Sequence, residues 1–174
     1  TMGTGVLTVN ALPTVTVNSE SICAGSAAAT FIATSGTATS WSWTGQGTGN
    51  NQITSGTTAG NYSVVVTDGN GCQSALSTGV LTVNALPTVT VNSESICAGS
   101  AAATFTATAT SGTPTSWSWT GQGTGTNQTT SGTTAGNYSV VATDGNSCSS
   151  TMETGVLTVN ALPTVTVNSE SICA

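Results

Sequence analysis

The chemically reactive inventory of this 174-residue chain is short. It holds five cysteines (Cys23, Cys72, Cys97, Cys148, Cys173), six acids (Glu20, Asp68, Glu94, Asp144, Glu153, Glu170) and no Lys, Arg or His. Without His, the commonest general base and transition-metal ligand are missing. Without Lys there is no Schiff-base chemistry, and no Lys–Asn isopeptide cross-link of the kind some surface pili use. Ser and Thr hydroxyls abound but have no base to activate them. Glu20 and Glu94 hold the same place in successive repeats, about one domain length apart, whereas paired glycosidase carboxylates must lie about 5–10 Å apart. No catalytic residue, cofactor or metal ligand is expected, and the chain does not read as an enzyme. Asp68-Gly-Asn-Gly71 and Asp144-Gly-Asn146 resemble the opening of a Ca²⁺ loop, but Ca²⁺ takes six to eight oxygens, usually from several carboxylates. A tight turn with Gly and Asn at positive φ is the favoured reading.

That leaves the cysteines. Five in such a chain argue for an oxidising, extracellular setting. No secretion signal is visible, and Thr1 begins in mid-pattern, so the chain reads as a mature fragment or a window on something longer. The absence of cationic side chains argues against nucleic acid and against docking to anionic membranes. No apolar run approaches the roughly 18 residues of a membrane helix. The net charge is −6, but only 3% of residues are charged; 38 Thr and 23 Ser carry solubility instead.

The elements that must position the cysteines come from a repeat. TGVLTVNALPTVTVNSESICA starts at Thr4, Thr78 and Thr154. SWSWTGQGTG at Ser40–Gly49 returns at Ser116–Gly125, and GNYSVV at Gly60–Val65 returns at Gly136–Val141. The expected division is 1–10, the final strand of a preceding repeat; 11–84 and 85–160, two full repeats; and 161–174, the first strand of a following one. Two extra residues in the second repeat, with a Pro, are expected to enlarge one loop between Phe105 and Trp117. Residues 1–24 and 151–174 differ only at Gly3 against Glu153.

Each repeat, about 75 residues long by its offsets, reads as short strands alternating with period two between Gly-rich turns. Strands are expected at 14–18, 27–34, 40–44, 52–54, 61–67 and 78–84; a strand between 44 and 52 is doubtful. β-Branched Thr and Val suit such surfaces. No window carries a 3.6-residue apolar period. The fold expected is all-β: tandem antiparallel β-sandwiches. Phe31, Trp41 or Trp43, Tyr62, Val64 and Val66 should fill the first core, and Phe105, Trp117 or Trp119, Tyr138, Val140 and Ala142 the second. Val66 becoming Ala142 suggests looser packing in the second. Trp41 with Trp43, and Trp117 with Trp119, each share a strand face. The other reading of these pairs is an exposed platform for sugar rings. Asn61, Asn127 and Asn137 open N-x-Ser/Thr acceptor patterns that such a composition produces by chance.

A Phe strand, a Trp strand and then a Tyr strand after Gly is an immunoglobulin-like order. The run I-C-A-G-S, W-S-W, G-N-Y-S-V-V-V-T-D-G-N-G-C, T-V-N-A-L-P resembles the tandem immunoglobulin-like repeats of large secreted Bacteroidetes surface proteins, including gliding-motility adhesins and other type IX secretion cargo. Such repeats usually carry some Lys or Arg. The resemblance implies an extracellular structural or adhesive role without catalytic residues. In an array, neighbouring repeats or copies would be the partners. An adhesin whose repeats bind glycans is the alternative, and ice binding by Thr arrays a weaker third.

The cysteine pairing stays open between two readings. The simple one joins Cys23 to Cys72 and Cys97 to Cys148 within each repeat. If the topology is immunoglobulin-like, those pairs lie at opposite poles, far beyond the roughly 7 Å between Cα atoms that a disulfide spans. Cys23 would then meet Cys148, leaving Cys72, Cys97 and Cys173 to repeats beyond this window. Edges without Lys invite lateral pairing, with Thr4–Asn10 and Thr154–Asn160 as expected strand donors.

Overall fold

The computed structural model describes residues 5–173. It contains two compact units, the first ending at Ala85 and the second beginning at Leu86. Both are all-β among the described residues.

In the first unit the strands are β1 (Thr16–Val17), β2 (Glu20–Cys23), β3 (Ala29–Thr34), β4 (Ala38–Gly45), β5 (Ile53–Gly56), β6 (Gly60–Asp68) and β7 (Ser77–Asn84). They make two sheets, ordered β1-β3-β5 and β2-β7-β6-β4. The second unit repeats this with β8 (Thr88–Val91), β9 (Glu94–Cys97), β10 (Ala103–Ser111), β11 (Pro114–Gly121), β12 (Thr129–Gly132), β13 (Gly136–Asp144) and β14 (Glu153–Asn160), ordered β12-β10-β8 and β11-β13-β14-β9. All pairings are antiparallel except β2 with β7 and β9 with β14. A first strand that leaves one sheet and joins the other parallel to the last strand, over a Greek-key sandwich, is an immunoglobulin-like arrangement.

Of the expected strand at 14–18 only Thr16–Val17 pairs, and a second strand follows beyond it. Asn18 follows Val17, and its side chain binds the neighbouring strand: Nδ2 donates to Thr30 O at 2.9 Å and Oδ1 accepts from Ile32 N–H at 2.7 Å. The chain then crosses to the other sheet, where Glu20–Cys23, expected as loop, pairs with Leu81–Asn84. Period-two reading misses this strand because only its last two residues, Ile22 and Cys23, are even half-buried.

The cores follow the strand alternation. Phe31, Ala33, Val64 and Val66 are wholly buried, with Tyr62, Leu81 and Trp43 nearly so. Phe105, Ala107, Val140, Ala142, Tyr138, Leu157 and Trp119 fill the second unit in the same way. Phe31 stacks on Tyr62 across the sandwich with ring centroids 4.0 Å apart, and Phe105 on Tyr138 at 4.0 Å. Each Tyr hydroxyl donates back four residues, to Thr58 O (3.1 Å) and Thr134 O (3.0 Å), as in the tyrosine corner of such folds. Gly56 and Gly132 leave room for this: a Cβ on either would sit 2.0 Å from the hydroxyl oxygen.

The two extra residues of the second unit do not enlarge a loop. Together with one residue drawn from the following loop, they lengthen β10 to nine residues against six in β3. β8 then pairs with it at four positions, from Val91 against Ala107 to Thr88 against Ser111, across a bulge. β1 pairs at only two. Val89 becomes a core residue, while its counterpart Val15 is only half-buried.

Candidate functional site

The cysteines occupy two recurring settings. Cys23 ends β2 opposite Asn84, and Cys97 ends β9 opposite Asn160. In each case a turn follows at once: Ser26 N–H donates to Cys23 O, and Ser100 N–H to Cys97 O, both at 3.0 Å. Gly25 (φ 80°) and Gly99 (φ 82°) supply the positive φ that the third position of such a turn requires. Asn84 donates to Ser21 Oγ and Asn160 to Ser95 Oγ, both at 2.8 Å, and Ala24 N–H and Ala98 N–H donate to the Asn carbonyls. The motif S-I-C-A-G-S thus fixes a cysteine beside the last residue of its unit's final strand. This is the downstream pole, where the chain leaves through Ala-Leu-Pro.

Cys72 and Cys148 sit in the hairpin turn before that final strand. Asp68 Oδ1 accepts from Asn70 N–H and Cys72 N–H, each at 2.9 Å, and Asp144 Oδ1 does the same for Asn146 and Cys148. The acids are turn-formers, each carboxylate closing its loop on its own backbone. Among the described residues no group of three or more His, Cys, Asp or Glu could hold a metal ion. Backbone bonds Gly71 N–H to Asp68 O (3.1 Å) and Asp68 N–H to Cys72 O (3.0 Å) close the first turn, and the second is built alike. Gly71 stands at φ 81°; Ser147, its counterpart, is held at φ 63°.

This turn marks the upstream pole. In the first unit Pro13, Thr14 and Val15 line a cleft with Ser74, Ala75, Leu76 and Ser77, so the incoming chain lies beside the hairpin. In the second, Gly112 sits against Pro87, and Pro114, across the same turn, pairs with Asp144.

The two cysteines of one unit are thus at opposite ends of its final strand. Ser77–Asn84 alone spans about 23 Å at roughly 3.3 Å per residue, several times what a disulfide can bridge. Cys72 and Cys97 are free thiols, half-buried and exposed respectively, and Cys173 is free and exposed. Neither bond within a unit forms. Cys23 and Cys148 are both disulfide-bonded.

The indoles do not form a platform. Trp43 and Trp119 are buried, and each Nε1–H donates at 2.8 Å, to Asn51 O and Asn127 O. Trp41 and Trp117 are half-buried against the cores. The expected donor Thr154–Asn160 is engaged on both sides, by β13 and β9, and is not available for exchange. Residues 5–10 form no strand and are exposed; Thr4 lies outside the described residues. Among the described residues no helix is long and apolar enough to cross a membrane.

No family model matches the chain, and no curated protein does. Solved structures do. Fibronectin(III)-like modules of Clostridium thermocellum CbhA align at TM-score 0.44 and 19% identity over 90% of this chain and 100% of theirs. An I-band fragment of titin aligns at 0.47 and 14% over 88% and 67%. Immunoglobulin domains of Sidekick-1 align at 0.46 and 15% over 85% and 48%. The neighbours are immunoglobulin-like and fibronectin-type domains, the fold that this chain's own strand order displays.

Proposed function

We propose that the chain is part of an extracellular fibre or stalk of tandem immunoglobulin-like repeats whose joints are closed by disulfides. The observation that carries this is the placement of the cysteines: one at the downstream pole of each unit, one at the upstream pole. Cys23 lies where the first unit hands the chain to Ala85-Leu86-Pro87; Cys148 lies at the pole where that linker enters the second unit. A linker of three residues with a Pro allows little free tumbling. A Cys23–Cys148 bond would lock the joint, and small sandwiches gain stability from such a staple. An oxidising, extracellular location is where these bonds persist. The sequence resemblance to secreted Bacteroidetes surface repeats points the same way.

Glycan binding through stacked indoles loses its support, because none of the four Trp is exposed. Electron micrographs of the native material test the proposal. Extended, regularly jointed rods are expected, and bending at the joints should increase on reduction. Monodisperse globular particles would contradict it.

A further inference from the structure

Cys97 and Cys72 are positional equivalents of the two bonded cysteines. Cys97 ends β9 as Cys23 ends β2, in the same turn and with the same Asn and Ser contacts. Cys72 sits in the hairpin that holds Cys148 in the second unit, on the same Asp carboxylate bonds. One downstream cysteine and one upstream cysteine are oxidised; the other downstream and upstream cysteines are free. The free pair are thus Cys97 at the downstream pole of the second unit and Cys72 at the upstream pole of the first.

We infer that these thiols are a head-to-tail coupling pair: the partner of Cys97 is Cys72 of a second copy of this chain. Residues 1–10 restate the second unit's ending, 151–160, except at Gly3 against Glu153, and they stand directly before the first unit, so the junction that this pairing would close is written in the sequence. The inference rests on the fibre reading and extends it from one joint to every joint. Each copy carries a net charge of −6, a repulsion that physiological salt screens, and neither cysteine has an acid beside it in sequence.

The chemistry needs an oxidant, for which a small disulfide such as glutathione disulfide serves. The Cys97 thiolate attacks one sulfur, forming a mixed disulfide and releasing one glutathione thiolate. The Cys72 thiolate of the second copy then attacks the Cys97 sulfur, forming the Sγ–Sγ bond and releasing the second glutathione. Two protein thiols lose two protons and two electrons, and one glutathione disulfide becomes two glutathiones.

The test uses the full chain carrying Cys173→Ser, so that the duplicated downstream cysteine at 173 cannot substitute. Incubated with glutathione disulfide and run without reductant, this chain should give a ladder spaced by one chain mass. Cys97→Ser alone and Cys72→Ser alone, in that background, should each stay monomeric. An equimolar mixture of the two should form a dimer and stop there. Dimers of Cys72→Ser alone would show Cys97 pairing with itself, and a mixture that stays monomeric would show no coupling; either overturns the inference. Peptide mapping of the same monomers separates this from the reading beneath it. With Cys23 linked to Cys148 and a monomeric mixture, only the coupling fails; with Cys23 or Cys148 linked elsewhere, both fall.

Discussion

The two units share the ring stack and the buried hydrogen bonds at the centre of the core and differ most where strand meets edge. Sheet orders, the Phe–Tyr stack, the Tyr hydroxyl bond and the buried indole bond are duplicated to within about a tenth of an ångström. The first strand is not: β1 pairs at two positions, β8 at four. The outer face beside it changes as well. Ile32 and Ile53, opposite each other and exposed, become Thr106 and Thr129 at the same register. The fold is thus held by the inward face and by the two poles, while the outer face is free to change in polarity. An inserted Thr-Ala pair is absorbed as extra strand because β8 offers it backbone partners and a bulge corrects the register.

The comparison can be broken most sharply at the stacked rings. Phe31→Ala and Phe105→Ala should each cost about 3–5 kcal/mol, in the unit that carries the change. Separate Trp-fluorescence transitions in denaturant would show it, and equal losses would mean the two cores are energetically the same. Val66→Ala should cost the first unit about 2 kcal/mol. The reverse change, Ala142→Val, should also cost, about 1–3 kcal/mol by overpacking. Ala142 is already wholly buried in the cluster that Val89 joins. A gain on Ala142→Val would show an unfilled second core.

Smaller effects sharpen the strand difference. Asn18→Ala and Asn92→Ala remove matching side-chain bonds to the neighbouring strand. The loss should be about 1–2 kcal/mol in the first unit and smaller in the second, where β8 has more ladder of its own. Hydrogen exchange at Ile32 and Thr106 reads this locally. Smallest is Ser147→Gly, expected to stabilise the second unit by about 1 kcal/mol, because a non-Gly residue at positive φ is relieved. Gly71→Ser should cost the first unit a similar amount.

Much of this was legible in the residues. Period-two alternation placed the long strands, and Phe31, Tyr62, Val64 and Val66 on them are buried, while Ile32 and Ile53 face outward. The short strand Glu20–Cys23 escaped because a parallel edge strand with two exposed polar residues has no apolar alternation to read. The fate of the inserted Thr-Ala pair escaped because strand length depends on a partner 20 residues away in sequence. The choice between Trp41 and Trp43 escaped because both share a face and only depth in the sandwich separates them. The cysteines stand out in the sequence, but their poles depend on β2 running parallel to β7, which sets Cys23 beside Asn84 and has no signal in the residues.

The most direct test is a disulfide map of the unreduced chain. Trypsin has no site in it, so chymotrypsin with a Glu-specific protease would be used, followed by mass spectrometry with and without reductant. The account predicts one linked pair within the chain, the peptide carrying Cys23 joined to the peptide carrying Cys148, with Cys72 and Cys97 recovered as thiols from monomer. A Cys23–Cys72 or Cys97–Cys148 linkage would contradict it, because either would require the two poles of one sandwich to meet.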